Sequence, residues 1–303
     1  MIKKIKRFLI KLNSAISRDY SRLCKNEVYR AMFEFMSHNN SFKGVLEECD
    51  NEKIIVSLTT YGERIYSVHR TIESLMQQTM KASRIILWLS EDEFDDKNLP
   101  IILKKMQDRG LEIKYCPDYK SYKKLIPTLQ LDKESIIITV DDDMIYPAYM
   151  IENMYKTHCQ YPDAIVFNYG CELAIDSEHK ILPYDKWCDC GDFSTPSVMY
   201  MGIGVGGILY PPMSLHSDVV CVKEFQNLAP KADDLWFKIM SYRLGTKYVQ
   251  TCFGKKILSP ADFLSEYITI EDEQRERLGT ENVINKANDH QMKALIERYS
   301  IKF

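Results

Sequence analysis

Ile136-Ile137-Ile138-Thr139-Val140-Asp141-Asp142-Asp143 is the stretch on which the reading of this chain turns. A continuous run of branched residues, with no polar alternation, marks a strand buried on both faces. Three carboxylates follow at once, and sheets of such strands place ligands outside their carboxyl ends. Alternation along an extended backbone points Asp141 and Asp143 to one side, where both can reach a single hard cation. Adjacent carboxylates repel one another, a cost that solvation or a bound cation relieves. A solvated acidic turn is the bland alternative. The union of buried strand and acidic run favours metal-dependent phosphate chemistry.

Toward the N-terminus, the same type of run recurs in Ile54-Ile55-Val56-Ser57-Leu58, Ile85-Ile86-Leu87-Trp88-Leu89 and Leu111-Glu112-Ile113. Helical spacing separates these runs, with Val68, Ile72, Leu75 and Met76 in one interval and Ile101, Ile102, Leu103 and Met106 in the next. Pro100 stands near the start of the second helix and Gly110 just past its end, the expected asymmetry. Strands alternating with helices imply an α/β fold around a mostly parallel, doubly covered sheet. From Ala164 onward the pattern loosens into turns, a glycine-rich stretch and further helices. The 303 residues suffice for a large core, and 11% aromatics with a net charge of −3 exclude bulk disorder. Forty basic against 43 acidic residues also argue against a dedicated nucleic-acid binder.

Charge is nonetheless uneven. Lys3, Lys4, Lys6, Arg7 and Lys11 crowd the start, while Ile2, Ile5, Leu9, Leu12 and Ile16 fall on one helical face. Lys11 interrupts the apolar core that a secretory signal needs, and no stretch approaches the roughly 20 apolar residues of a membrane span. This predicts an amphipathic helix on an anionic membrane surface, or a surface helix docked on its own domain. Nine scattered cysteines form no disulfide framework, so reduced thiols in the cytoplasm are expected.

Two further segments carry chemistry. Gly202-Ile203-Gly204-Val205-Gly206-Gly207 lacks dinucleotide-binding spacing and runs into Ile208-Leu209-Tyr210-Pro211-Pro212 rather than a helix. Its glycines allow backbone to approach a ligand closely, or mark a bulge. Asp233-Asp234 opens the amphipathic segment Leu235-Trp236-Phe237-Lys238-Ile239-Met240. The two acids either serve that helix's N-terminus or supply a general base.

The order Ile55-Val56-Ser57-Leu58-Thr59-Thr60-Tyr61, Arg64, helix, strand and triplet resembles a GT-A fold glycosyltransferase. More narrowly, it is similar to the family-two-like enzymes of bacterial capsule and lipopolysaccharide clusters. Ser121-Tyr122-Lys123-Lys124-Leu125-Ile126-Pro127, Gly206-Gly207, Ala232-Asp233-Asp234-Leu235-Trp236-Phe237 and Asn288-Asp289-His290-Gln291 carry that likeness over roughly residues 52 to 295. The resemblance implies a Rossmann-like GT-A sheet flanked by helices, with N- and C-terminal helical extensions. Residues 1–50 would be a possibly membrane-associating extension, 51–260 the catalytic domain and 261–303 a helical tail packed on it. Within the catalytic domain, 51–145 would form the donor half and 146–260 the acceptor half.

The resemblance implies transfer of a hexosyl or N-acetylhexosaminyl group from a nucleotide-sugar donor, a UDP-sugar, to a hydroxyl of a bacterial surface glycan or glycolipid. The work would take place in the cytoplasm, peripherally on the inner face of the cytoplasmic membrane. Asp143 and Asp141 would hold Mn²⁺ or Mg²⁺ on the donor phosphates, with Asp142 in the same donor-binding group. Thr59, Tyr61, Arg64 and Lys124 would line the nucleotide, Arg64 because a guanidinium pairs bidentately with phosphate. Lys120 and Lys123 beside Lys124 leave open a merely solvated face. Gly206 and Gly207 would approach the donor, Asp234 would deprotonate the acceptor hydroxyl, and Asp233 would orient the acceptor. His290 would complete the metal shell or stand alone on the surface.

Two other classes fit part of this pattern. A haloacid-dehalogenase-type phosphatase would use Asp141 as nucleophile and Asp143 as acid, although about three strands precede the triplet here rather than none. A catalytically inactive membrane-bound sugar-binding module would keep the fold without the chemistry. A nucleotidyltransferase would carry a glycine-rich basic loop right after the first strand, and Thr59-Thr60-Tyr61-Gly62-Glu63 is not one.

Overall fold

The computed structural model describes residues 24–46, 52–189, 191–253, 256–257, 268–269 and 286–303. The basic start, residues 1–16, lies outside the described residues, as does Cys190. Helix α1 (residues 24–39) precedes β1 (Ile54–Thr59), α2 (Val68–Met76), β2 (Arg84–Ser90), α3 (Ile101–Gln107) and β3 (Leu111–Cys116). Then come α4 (Ile126–Leu131), β4 (Ile136–Thr139), β5 (Met144–Ile145), α5 (Met150–Gln160), β6 (Ile165–Phe167), β7 (Gly170–Glu172), β8 (Tyr200–Gly202) and β9 (Ile208–Tyr210). Helices α6 (Val222–Leu228) and α7 (Asp233–Tyr242), strand β10 (Tyr248–Gln250) and helix α8 (Ala287–Tyr299) complete the frame.

Seven strands form one sheet in the order β10-β6-β9-β4-β1-β2-β3. Every neighbouring pair is parallel except those made by β9, which runs antiparallel to both β4 and β6. The architecture is therefore α/β with a mostly parallel central sheet flanked by helices. Strand alternation sorts the core into two layers. Ile54, Val56, Ile136, Ile138, Val166 and Leu209 meet Ile72, Leu75, Leu103, Met106 and Met154 on one side. Ile137, Ile165, Phe167, Ile208 and Tyr210 meet Tyr122, Trp236, Phe237, Met292 and Leu295 on the other. Each such side chain contributes about 1.5–3 kcal/mol by leaving water, which explains why both faces of the central strands are apolar.

Gly110 has a φ of +104°, and a Cβ there would lie 2.4 Å from Val45 Cγ2. A side chain would clash as well as strain the backbone, so the turn after α3 both needs glycine and seats the segment that follows α1. Beneath that segment the buried Arg109 Nη1 donates to Glu73 Oε2 at 2.6 Å, and Asn40 Nδ2 donates to Glu73 Oε1 at 2.6 Å. At the other end of the chain, α8 buries Met292 and Leu295 in the second core layer. Asp289 Oδ1 accepts from Tyr184 N at 2.7 Å and Gln291 Oε1 from Lys231 N at 3.0 Å, so the tail helix is pinned just ahead of α7.

Candidate active site

Strand β4 ends at Thr139, one residue before Val140, and the acidic triplet occupies the turn between β4 and β5. The alternation expected from a longer strand does not apply there, but the separation of roles persists. Asp142 is buried: Thr60 Oγ1 donates to its Oδ2 at 2.5 Å and Arg64 Nη1 to its Oδ1 at 2.8 Å, while Thr71 Oγ1 donates to its carbonyl at 2.8 Å. It anchors the turn against β1 and α2. Desolvation raises its pKa, and Arg64 and Thr60 oppose that rise. Asp141 and Asp143 keep side-chain exposures of 31% and 17%. They are the two carboxylates of the triplet left on the open side.

Arg64 reaches Asp143 Oδ2 at 3.4 Å as well as Asp142, and its guanidinium carbon lies 5.1 Å from the centroid of the half-exposed Tyr61 ring. Thr59 Oγ1 donates to the Trp88 carbonyl at 2.9 Å, so that hydroxyl serves the sheet. The lysines of the Lys120–Lys124 turn part company. Lys120 is exposed on Asp118, and Lys123 is buried against the same carboxylate. Lys124 is buried with Nζ 3.0 Å from Asp141 Oδ1 and 3.0 Å from Asp233 Oδ2. Burial alone would lower its pKa; Asp141, Asp233 and Asp234 together hold it well above its ordinary value. One ammonium thus joins the end of β4 to the start of α7, distant in sequence.

Asp233 and Asp234 form the first turn of α7, whose N-cap is Ala232 with no side-chain cap bond. Their carboxylates leave their own helix: Asp233 goes to Lys124, and Asp234 Oδ2 accepts from Gly204 N at 3.1 Å. Asp234 Oδ1 is buried without a hydrogen-bond partner among the described residues. Burial first, then the neighbouring Asp233 charge, raises the Asp234 pKa to about 7. A carboxylate poised there can take a proton near neutral pH.

Gly204 is the glycine that meets the site. A Cβ on it would lie 2.5 Å from Lys124 Nζ, 3.3 Å from Asp234 Oδ1 and 3.4 Å from Asp141 Oδ1. Gly206 and Gly207 stand one step back: the Gly206 carbonyl accepts from Asn168 Nδ2 at 2.9 Å, and Gly207 turns the chain into β9 at a φ of +85°. Tyr146 closes the arrangement, its hydroxyl accepting from Asp141 N at 2.9 Å and donating to the Val205 carbonyl at 3.2 Å. Thr71 and Tyr146 are supports of this candidate site that no motif marked, whereas Thr60 and Gly204 lay inside stretches already quoted but carried no assigned role. His290 is exposed on α8, and no bond joins it to the triplet among the described residues.

Hard oxygen donors on Asp141 and Asp143 fit a Mg²⁺ or Mn²⁺ ion of the type that takes one or two carboxylates and fills its other positions with phosphate and water. No family model and no curated protein matches the chain. Among solved structures, an S. aureus TarS fragment (residues 1–349, in complex with UDP) is similar at 13% identity and a TM-score of 0.44, covering 70% of this chain. This chain spans 62% of that structure's length. CMP:2-keto-3-deoxy-manno-octonic acid synthetase complexed with CTP is similar at 11% identity and a TM-score of 0.40, covering 69% of this chain and 94% of that one.

Proposed function

We propose that the protein is a metal-dependent glycosyltransferase that moves a hexosyl or N-acetylhexosaminyl group from a UDP-sugar to a hydroxyl of a surface glycan or glycolipid. The observation that carries this is the single buried ammonium of Lys124 between Asp141 and Asp233, with Asp234 alongside. It supports a donor-phosphate side and an acceptor side within one site. Asp141 and Asp143 would hold a divalent ion, which would supply positive charge against the leaving diphosphate. Arg64 pairs with the same phosphates, and Tyr61 stacks on the base. Asp234 removes the acceptor hydroxyl proton as the oxygen bonds to the anomeric carbon and the bond to the diphosphate breaks. Asp233, fixed by Lys124, orients the acceptor.

A thermal-shift panel of nucleotide sugars with and without Mn²⁺ tests metal, nucleotide and sugar together, because a ligand stabilises in proportion to its binding. We expect UDP-sugars to raise Tm only with Mn²⁺, and Asp143→Ala or Asp141→Ala to abolish both that rise and transfer. Full activity in either variant removes the metal assignment. Phosphatase turnover of a generic phosphoester without sugar-nucleotide turnover favours the dehalogenase-type alternative.

The membrane partner belongs to the same proposal. Helix α1, which follows the basic start, leaves Val28 65% and Phe35 68% exposed on one face, one helical repeat apart. An apolar helix face in a chain whose sequence also carries a cationic stretch suits an anionic lipid surface. No helix among the described residues is long and apolar enough to cross a membrane. Deleting residues 1–16 should release the protein from phosphatidylglycerol vesicles in a sedimentation assay while leaving kcat on a soluble acceptor unchanged. Retained vesicle binding contradicts the assignment.

A further inference from the structure

Away from the acidic triplet, Glu34 and His38 lie one turn apart on α1 and face His69 near the start of α2. His38 Nε2 is 3.1 Å from Glu34 Oε1, and His69 Nε2 is 2.9 Å from Glu34 Oε2. One ligand atom from each residue falls within 4.8 Å of the others. Tetrahedral bonds of about 2.0–2.2 Å from nitrogen and oxygen place ligand atoms about 3.3 Å apart, so small side-chain shifts suffice to seat an ion. We propose that Glu34, His38 and His69 form a second metal site, of zinc type, that fastens α1 to α2.

The donor set favours this class of ion. Two imidazoles and one carboxylate suit zinc, whereas magnesium and calcium prefer oxygen alone. His69 is buried, so its ring is held in place by the packing around α2. His38 remains 49% exposed and gives the ion a route in and room for a water ligand. Arg70 Nε donates to Glu34 Oε2 at 2.6 Å, which leaves Oε1 for the ion, since a carboxylate offers several lone-pair sites. Glu34 and His69 are separated by 35 residues in sequence, so the ion cross-links two helices. Two residues beyond His69, Thr71 holds the carbonyl of Asp142, so the fastened helix is the one that supports the triplet turn. None of this depends on the reaction the triplet serves.

The test uses full-length protein stripped of metal by chelation and titrated calorimetrically with ZnCl₂. The titration is repeated on the Asp141→Asn/Asp143→Asn double variant, so that an ion at the triplet is not counted. We expect one zinc per chain to persist in the double variant. Adding His38→Ala should weaken that binding more than about tenfold, the least that even an outer-shell change costs. Because His38 is half-exposed, this change should leave the metal-free Tm and circular dichroism unaltered. Titration with Co²⁺ should give the visible absorption of a four-coordinate site, again lost with His38→Ala. Absence of zinc binding in the double variant, or equal binding after His38→Ala, overturns the proposal.

Discussion

Asp234→Asn is expected to lower kcat by about 10²–10⁴-fold, the range that a positioned general base contributes, while leaving donor affinity within a few-fold. The amide keeps an oxygen for Gly204 N but cannot accept the proton. The pH profile gives the sharper reading. With Asp234 titrating near 7, kcat/KM of the native protein should fall as pH drops below 7, because the base becomes protonated. The residual activity of Asp234→Asn should lack that limb. Stability moves the opposite way. A carboxyl whose folded pKa lies above its ordinary 3.8 contributes stability in its protonated form, and that contribution is lost as pH rises through about 7. Asp234→Asn should therefore gain Tm relative to the native chain at pH 8, and the difference should shrink toward pH 4. Loss of donor binding in this variant, measured by calorimetry, contradicts the base role.

Lys124→Met should be the most damaging single change to the site's integrity. The methionine fills similar space but leaves Asp141, Asp233 and Asp234 facing one another without their shared cation. Breaking a buried pair from one side costs about 3–5 kcal/mol. The deficit should depend on pH with a predictable sign. Lys124 lowers the pKa of Asp234, so its removal raises it. Stability of the variant is then retained in acid and lost as pH rises. Urea denaturation should show a deficit that is larger at pH 8 than at pH 5, and the acid limb of residual activity should shift to higher pH. A deficit that does not vary with pH places the ammonium's role in packing rather than charge.

The N-terminal half of the fold is legible because its signals are long. Strands β1, β2 and β4 are built on nearly continuous apolar runs, β3 is a shorter alternating one, and α2 and α3 show clean three-four spacing between them. Gly110 marks a helix end for a reason its positive φ confirms. Beyond Ala164 the sheet strands β6, β9 and β10 have three residues each, too few for any periodicity to register, and β9 hides behind glycines. Tertiary pairing makes those strands, and local pattern cannot announce it. The site divides in the same way. The triplet and Asp233-Asp234 stand out as residue types in sequence. Nothing local separates Lys124 from Lys120 and Lys123, since their difference is which carboxylate each meets after folding. Likewise Asp142 looks like its neighbours until Thr60 and Arg64 enclose it.

The reversed direction of β9 has a practical consequence for where the protein can be altered. A parallel strand would finish at the rim that carries the triplet; β9 begins there, so Gly204 arrives at the rim before the chain descends into the sheet. Residues 168–207 are thus an excursion that leaves the rim from β6 and returns to it at β9, its ends fixed by β6's pairing with β10 and by β9's antiparallel pairing with β4 and β6. Lengthening such an excursion costs little, about 0.6 kcal/mol for each doubling. Its exposed tip, residues 176–180, can therefore be lengthened or exchanged, whereas Cys171, Leu173, Phe193 and Met201 stay buried in the second core layer and Gly204 N stays on Asp234.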